Sequence, residues 1–276
     1  MVSREWIISA ASSASSAVRG WFSWRYGGSI IVLLLGVLAP FRHAQDRPWG
    51  LNEVFAASIA VDVGHYLAKP GVISARGVTE FEYNRRLALE VAEALRRAGH
   101  KTLLIGDDGI VENLGARAPR AKGMDLFISI HHDSVQPRFL SSWDIDGETL
   151  LYSDLFSGFS LFVSHLNSHT ESSLKCASAI GAALRGAGFT PSRYHADPIV
   201  GENRPFADEA NGVHYFDNLA VLKTASIPAL LFEAGVIVNR EEELRMRDPA
   251  VRRLIADGIA AAVGACLGKA ASLGNK

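Results

Sequence analysis

Three short polar clusters interrupt the apolar pattern of this 276-residue chain: Asp62-Val-Gly-His65, Ser129-Ile-His131-His132-Asp133 and Phe232-Glu233-Ala-Gly235. Imidazoles and carboxylates are the side chains that ligate borderline metal ions and carry protons. A histidine on its own is more often structural or merely exposed, so the chemistry depends on whether the three clusters meet.

The elements around them give a reason for them to meet. Each cluster closes a short apolar run: Ile59 to Val63, Asp125 to Ile130 and Ala229 to Phe232. Helical patterns lie between. Glu80 to Ala98 places Leu87, Val91, Ala94 and Leu95 on one stripe and stops at Gly99; Ser173 to Arg185 ends at Gly186 and Gly188; Asp248 to Leu267 has Pro249 in its first turn. This alternation predicts a single α/β domain of three layers, a mainly parallel sheet with helices on both faces. Parallel strands share one carboxyl edge, where open α/β folds place ligand sites, so clusters distant in sequence converge there.

The remaining segments read less distinctly. Lys101 to Ile105 and Val221 to Lys223 are further strands, and Leu114 to Ala121 is a short helix. Leu150 to Tyr152 and Ser160 to Val163 form a hairpin pair whose connection contains Gly158. Residues 189–217, rich in Pro, Gly, Asn and charge, read as a long surface loop; from His195 through Gly201-Glu-Asn-Arg-Pro205 to His214 it has the composition of a binding loop.

Composition narrows the class. With 28 Lys and Arg against 29 Asp and Glu, the chain supplies no basic patch of the kind that displaces counterions from nucleic acid, and that class is set aside. Cys176 and Cys266, the only cysteines, each sit in an apolar helical pattern without a partner nearby, which suggests buried apolar side chains rather than a disulfide or a thiolate metal site. Residues 1–50 differ in kind: Arg4, Arg19 and Arg25 precede an apolar run from Ile30 to Ala39, closed by Pro40 and Arg42. About ten apolar residues is roughly half a bilayer span, so the pattern reads as an export signal or short anchor, with residues 51–270 as the catalytic domain. Export to a periplasmic or extracellular space follows, with membrane contact through the N-terminal segment only.

Asp62-Val-Gly-His65, Glu80 with Asn84 one helical turn on, Phe127-Ile-Ser-Ile-His131, and Pro228-Ala-Leu-Leu-Phe-Glu233-Ala-Gly235 with Asn239 resemble the zinc-dependent N-acetylmuramoyl-L-alanine amidases over about residues 58–265. The resemblance implies His65, Glu80 and His131 as zinc ligands and Glu233 as the catalytic proton carrier. Its substrate would be peptidoglycan or a muropeptide, cut between N-acetylmuramic acid and L-alanine. Two imidazoles and a carboxylate leave a fourth zinc position open, as catalytic sites do.

Neighbouring residues compete for these roles. Thr79-x-x-Glu82 reads as a capping box in which Glu82 folds back on the helix start, leaving Glu80 for the metal, although a first-turn carboxylate also suits the helix dipole. The family register selects His131, and His132 is then a supporting or substrate-facing residue. Asp62 is expected to orient a ligand imidazole or to make a turn. Ala234 and Gly235 would leave room above the Glu233 carboxylate. The sequence departs from the family at Tyr66-Leu67, where Gly-Gly is usual, at Gly106-Asp107 in place of Thr-Arg, and at Asp133 in place of Asn. Two other readings keep the fold: a zinc peptidase acting on stem peptides, and a silent wall-binding module, which has no need of Glu233. A membrane-tethered scaffold rests on the N-terminal run alone.

Overall fold

The structure, a computed structural model, describes residues 56–111 and 113–268. The signal-like segment and its Ile30 to Ala39 run lie outside the described residues. In chain order the elements are β1 (Ser58–Val63), α1 (Glu80–Arg97), β2 (Lys101–Ile105), β3 (Leu126–Asp133), β4 (Ser141–Ile145), β5 (Glu148–Tyr152), β6 (Ser160–Val163), α2 (Thr170–Gly186), β7 (Phe206–Asp208), β8 (Val213–Tyr215), α3 (Ala220–Lys223), β9 (Ala229–Val236), α4 (Arg240–Arg247) and α5 (Pro249–Leu267).

Seven strands form one sheet in the order β2-β1-β3-β9-β6-β8-β7. β2, β1, β3 and β9 run parallel, and β6 turns antiparallel to β9. The central strands are almost wholly buried, which is why β1, β3 and β9 read as continuous apolar runs rather than alternating ones. The long helices α1, α2 and α5 cover one face, α5 packing against both others. Their core joins Leu87, Val91 and Leu95 to Ile128, Ile130, Phe232 and Ile255. The other face is covered by short pieces, 3-10 turns at Leu114–Ala116 and Ala118–Ala121 together with α3, against Phe127, Leu231 and Ile105. The expected three-layer α/β architecture holds, with its second helical layer reduced to turns.

Five expectations are corrected. Leu150 to Tyr152 pairs with β4, not with Ser160 to Val163: Asp146 and Gly147 both take positive φ, 53° and 85°, as a two-residue hairpin turn requires, and β6 is an inner strand of the main sheet. Val221 to Lys223 is the helical turn α3, since three residues are too few to show a period. The helix expected over 114–121 is broken into two 3-10 turns at Arg117, just before Pro119. Residues 189–217 are not a surface loop, because β7 and β8 extend the sheet and Tyr194, His195 and His214 are buried. Finally, Cys176 and Cys266 form a disulfide: packing of α2 on α5 brings their Cα atoms to 5.1 Å, a proximity that arises only in the folded chain.

Candidate metal and catalytic site

β1 and β3 end side by side, with Asp62 opposite Ser129 in register. Beyond β1 the chain turns sharply through Gly64 and His65, and His65 holds a left-handed φ of 65°. α1 begins fifteen residues later, its first turn started by the Thr79 hydroxyl, which accepts from the Glu82 amide at 3.4 Å. This start places the Glu80 carboxylate between two imidazoles. Its Oε2 lies 3.0 Å from His65 Nε2 and its Oε1 3.0 Å from His131 Nδ1. One donor atom from each of the three residues falls within 4.8 Å of the others, the one such cluster among the described residues.

Space around these donors depends on glycine. A Cβ at Gly64 would lie 2.4 Å from the His131 ring, and one at Gly71 would lie 2.3 Å from Glu80 Oε2. Burial works to raise the Glu80 pKa, but hydrogen bonds and charge from His131 and His65 together hold it below the ordinary carboxylate range. Asn84 Nδ2 donates to Glu80 Oε1 at 3.1 Å and to the Gly64 carbonyl at 3.2 Å. Two imidazole nitrogens and an ionised carboxylate, pre-placed by backbone and amide contacts, fit a divalent metal of the borderline kind and keep coordination positions open.

The competitors are separated by where they point. Glu82 is exposed and pairs with Arg86 at 3.3 Å, so it does not fold back on the helix start as the capping-box reading expected. His132 points into the helix layer, where its Nδ1 meets Asn84 Oδ1 at 2.9 Å and burial pushes its pKa down to about 3. It supports Asn84 and does not face substrate. Asp62 does not orient an imidazole: its two oxygens accept from Arg117 and Ser129 at 2.8 and 2.7 Å. Burial raises the Asp62 carboxyl pKa despite both partners.

Glu233 stands on β9 directly opposite His131. Its Oε2 is buried without a hydrogen-bond partner. Burial pushes its pKa well above the ordinary value, the charges of Asp133 and Glu80 add to that, and Arg204 opposes it. Gly235 does not make room for this carboxylate. It makes room for Glu242, whose Cδ a Cβ would meet at 3.0 Å and whose oxygens accept from the Gly158 and Val236 amides. Asn239 is structural, capping α4 through the Glu241 and Glu242 amides.

Cavities lie on both sides of the Glu233 strand. One of about 430 Å³ is lined by His65, His131, Tyr66, Leu114, Val221 and Leu231 and is largely apolar. The other, about 330 Å³, is charged: Glu233, Asp133, His195, Glu202 and Arg204 face it. There His195 is held between Asp133 and Glu202, at 2.7 and 2.8 Å, and the Arg204 guanidinium pairs with Glu202 and lies 4.1 Å over the Phe216 ring. The binding-loop reading thus contributes His195 to the neighbourhood of the site but not His214, which is sealed behind Phe162 and Phe206. Arg117 was missed, because its only sequence signal is an arginine among small residues in a short connection.

A sequence-family profile described as N-acetylmuramoyl-L-alanine amidase matches residues 59–265. Among solved structures, the N-acetylmuramyl-L-alanine amidase of Mycobacterium smegmatis is similar with a TM-score of 0.59 at 21% identity, over 76% of this chain and 96% of that one. The apo enzyme of Mycobacterium abscessus gives 0.60 at 20% identity over 77% and 99%. The amidase of Clostridium difficile 630 gives 0.58 at 18% identity over 75% and 95%. At these identities the likeness is one of fold. No curated protein matches the chain.

Proposed function

Since the chain belongs to the N-acetylmuramoyl-L-alanine amidase family, we propose that it hydrolyses the amide between the lactyl group of N-acetylmuramic acid and L-alanine in peptidoglycan, with a zinc ion held by His65, Glu80 and His131. When bound, zinc supplies Lewis acidity, lowering the pKa of water and polarising the amide carbonyl. The protein residues do the rest. Glu233 takes a proton from the attacking water at its carboxylate as the carbon–oxygen bond forms, and then delivers it to the alanine nitrogen, after which the carbon–nitrogen bond breaks and the amine leaves. The observation that carries this reading is the position of Glu233: in register with His131, with a buried oxygen that no protein group satisfies.

The two flanking cavities suit a substrate with two unlike halves, the largely apolar one for the uncharged acetylated sugar and the charged one for the peptide. Action on the wall requires export, and the Cys176–Cys266 disulfide supports it, since such bonds persist in oxidising compartments. No helix among the described residues is long and apolar enough to cross a membrane.

The test is product analysis of isolated peptidoglycan digested by the purified domain. New L-alanine amino groups and glycan stripped of peptide are expected, with no rise in reducing sugar. Cleavage between later stem residues, with alanine still on muramic acid, would establish the peptidase alternative instead, and no cleavage with intact wall binding would establish the silent module.

A further inference from the structure

The turn that presents His65 is gripped carbonyl by carbonyl from outside. Arg117 Nη1 donates to the Val63 carbonyl at 2.5 Å, Asn84 Nδ2 donates to the Gly64 carbonyl at 3.2 Å, and Arg117 Nη2 donates to the His65 carbonyl at 2.5 Å. Nη2 also reaches the Val111 carbonyl at 2.8 Å, and Nη1 the Asp62 carboxylate at the same distance. One guanidinium therefore ties the end of β1, the His65 turn and the 111–117 connection into a single unit.

Stability alone does not account for this residue. Arg117 is 1% exposed, and its Nε is buried without a partner. A buried ion pair with an unsatisfied donor stabilises a fold less than apolar side chains of similar volume. The fold also makes way for it: Gly106, at a φ of 76°, stands where a Cβ would lie 2.8 Å from Nη1. Gly106 is one of the positions at which the sequence departs from the family pattern. What the guanidinium secures is a backbone conformation that a histidine rarely adopts, the left-handed φ of His65.

We propose that Arg117 is a positioning residue of the metal centre, fixing the 63–65 turn so that His65 directs Nε2 toward the position shared with Glu80 and His131. Asp62 has a second task in this arrangement. A guanidinium so close to a dication repels it, and the Asp62 carboxylate cancels that charge while Ser129 holds the carboxylate in place. The inference rests on the metal reading above and extends it to two residues that line the cavity beside the metal donors without being donors themselves.

The experiment measures zinc affinity of the folded full domain by competition with a chromophoric chelator, with near-ultraviolet circular dichroism to confirm the fold. Arg117→Lys keeps the charge but cannot reach all four acceptors, and zinc binding about 10- to 100-fold weaker than wild type is expected. Asp62→Asn keeps the shape and leaves Arg117 uncompensated, so it too should weaken zinc by at least several-fold. Arg252→Lys serves as the comparison: Arg252 is a buried arginine paired with Glu90 at 2.8 Å on the helix layer, and its loss should lower the melting temperature without moving zinc affinity. If wild type itself binds no zinc, the metal reading fails and the inference with it. If wild type binds and folded Arg117→Lys binds within two-fold, the inference alone is overturned. Should Arg117→Lys not fold, unchanged affinity in Asp62→Asn overturns it.

Discussion

His131 and Glu233 face each other in register across the parallel pair β3 and β9, one carrying an imidazole of the His65–Glu80–His131 cluster and the other a carboxylate with an unsatisfied buried oxygen. The pairing of two adjacent strands, rather than a mobile loop, sets the separation between the His131 imidazole and the Glu233 carboxylate. Substitutions at these two positions should therefore have separable effects.

Glu233→Gln keeps the shape but cannot accept a proton. It should retain about one zinc per chain by elemental analysis while losing on the order of 10²- to 10⁴-fold in hydrolysis rate, the usual contribution of general acid–base catalysis. Activity equal to wild type would remove Glu233 from the mechanism.

His65→Ala, Glu80→Ala and His131→Ala should each empty the metal site, whereas Glu82→Ala should not. Glu82 is exposed and makes only a pair with Arg86, so its removal should change unfolding free energy by no more than about 0.5 kcal/mol. Thr79→Ala, which deletes the helix cap, should cost about 1 kcal/mol in urea titration. A zinc-free Glu82→Ala would reverse the choice between the two glutamates.

His214 is fully buried, and burial pushes its pKa down to about 4, against 6.5 for a solvated imidazole. Above pH 6.5 neither folded nor unfolded chain protonates it. As pH falls from 6.5 to 4 the unfolded chain takes up a proton that the folded chain refuses, so stability is lost, by up to about 3 kcal/mol. His214→Phe, which suits a site between Phe162 and Phe206, should flatten the dependence of unfolding free energy on pH over this interval by up to ~1.4 kcal/mol per pH unit. Identical slopes, measured with chelator present in both proteins, would count against it.

The disulfide closes a loop with a sequence separation of 90. Chain-entropy arguments put its contribution at up to about 4–5 kcal/mol. Reduction, or Cys176→Ser, should lower the urea midpoint while leaving zinc content unchanged, because the disulfide ties α2 to α5 and the clustered donors sit on the turn after β1, the start of α1 and β3. Coincident loss of zinc before unfolding would show a coupling that the fold does not suggest.

What the sequence discloses follows from the range of the forces involved. β1, β3 and β9 are buried on both faces, so their apolar runs stand out, and the polar residues that end them stand out in turn. α1 announces itself through the stripe of Leu87, Val91 and Leu95 and through Thr79 before it. The expected hairpin through Gly158 fails because Leu150 to Tyr152 is paired locally with β4 across Asp146-Gly147, while β6 is held by β9 and β8, contacts between distant segments. β7 and β8, three residues each, are held by neighbours in the sheet rather than by any period of their own. Cys176 with Cys266 and Arg117 with His65 are contacts between segments 52 to 90 residues apart, set by how layers stack.

The left-handed backbone at His65 places this position under two opposed demands. A residue chosen for folding alone would be glycine there, since an L side chain in that region costs on the order of 1–2 kcal/mol. The proposed metal site requires the imidazole. A library of variants selected only for survival on heating should therefore drift toward Gly or Asn at 65 and discard the ligand, whereas selection for hydrolysis should hold histidine and place its stabilising substitutions elsewhere. At this residue, heat tolerance and turnover are competing traits.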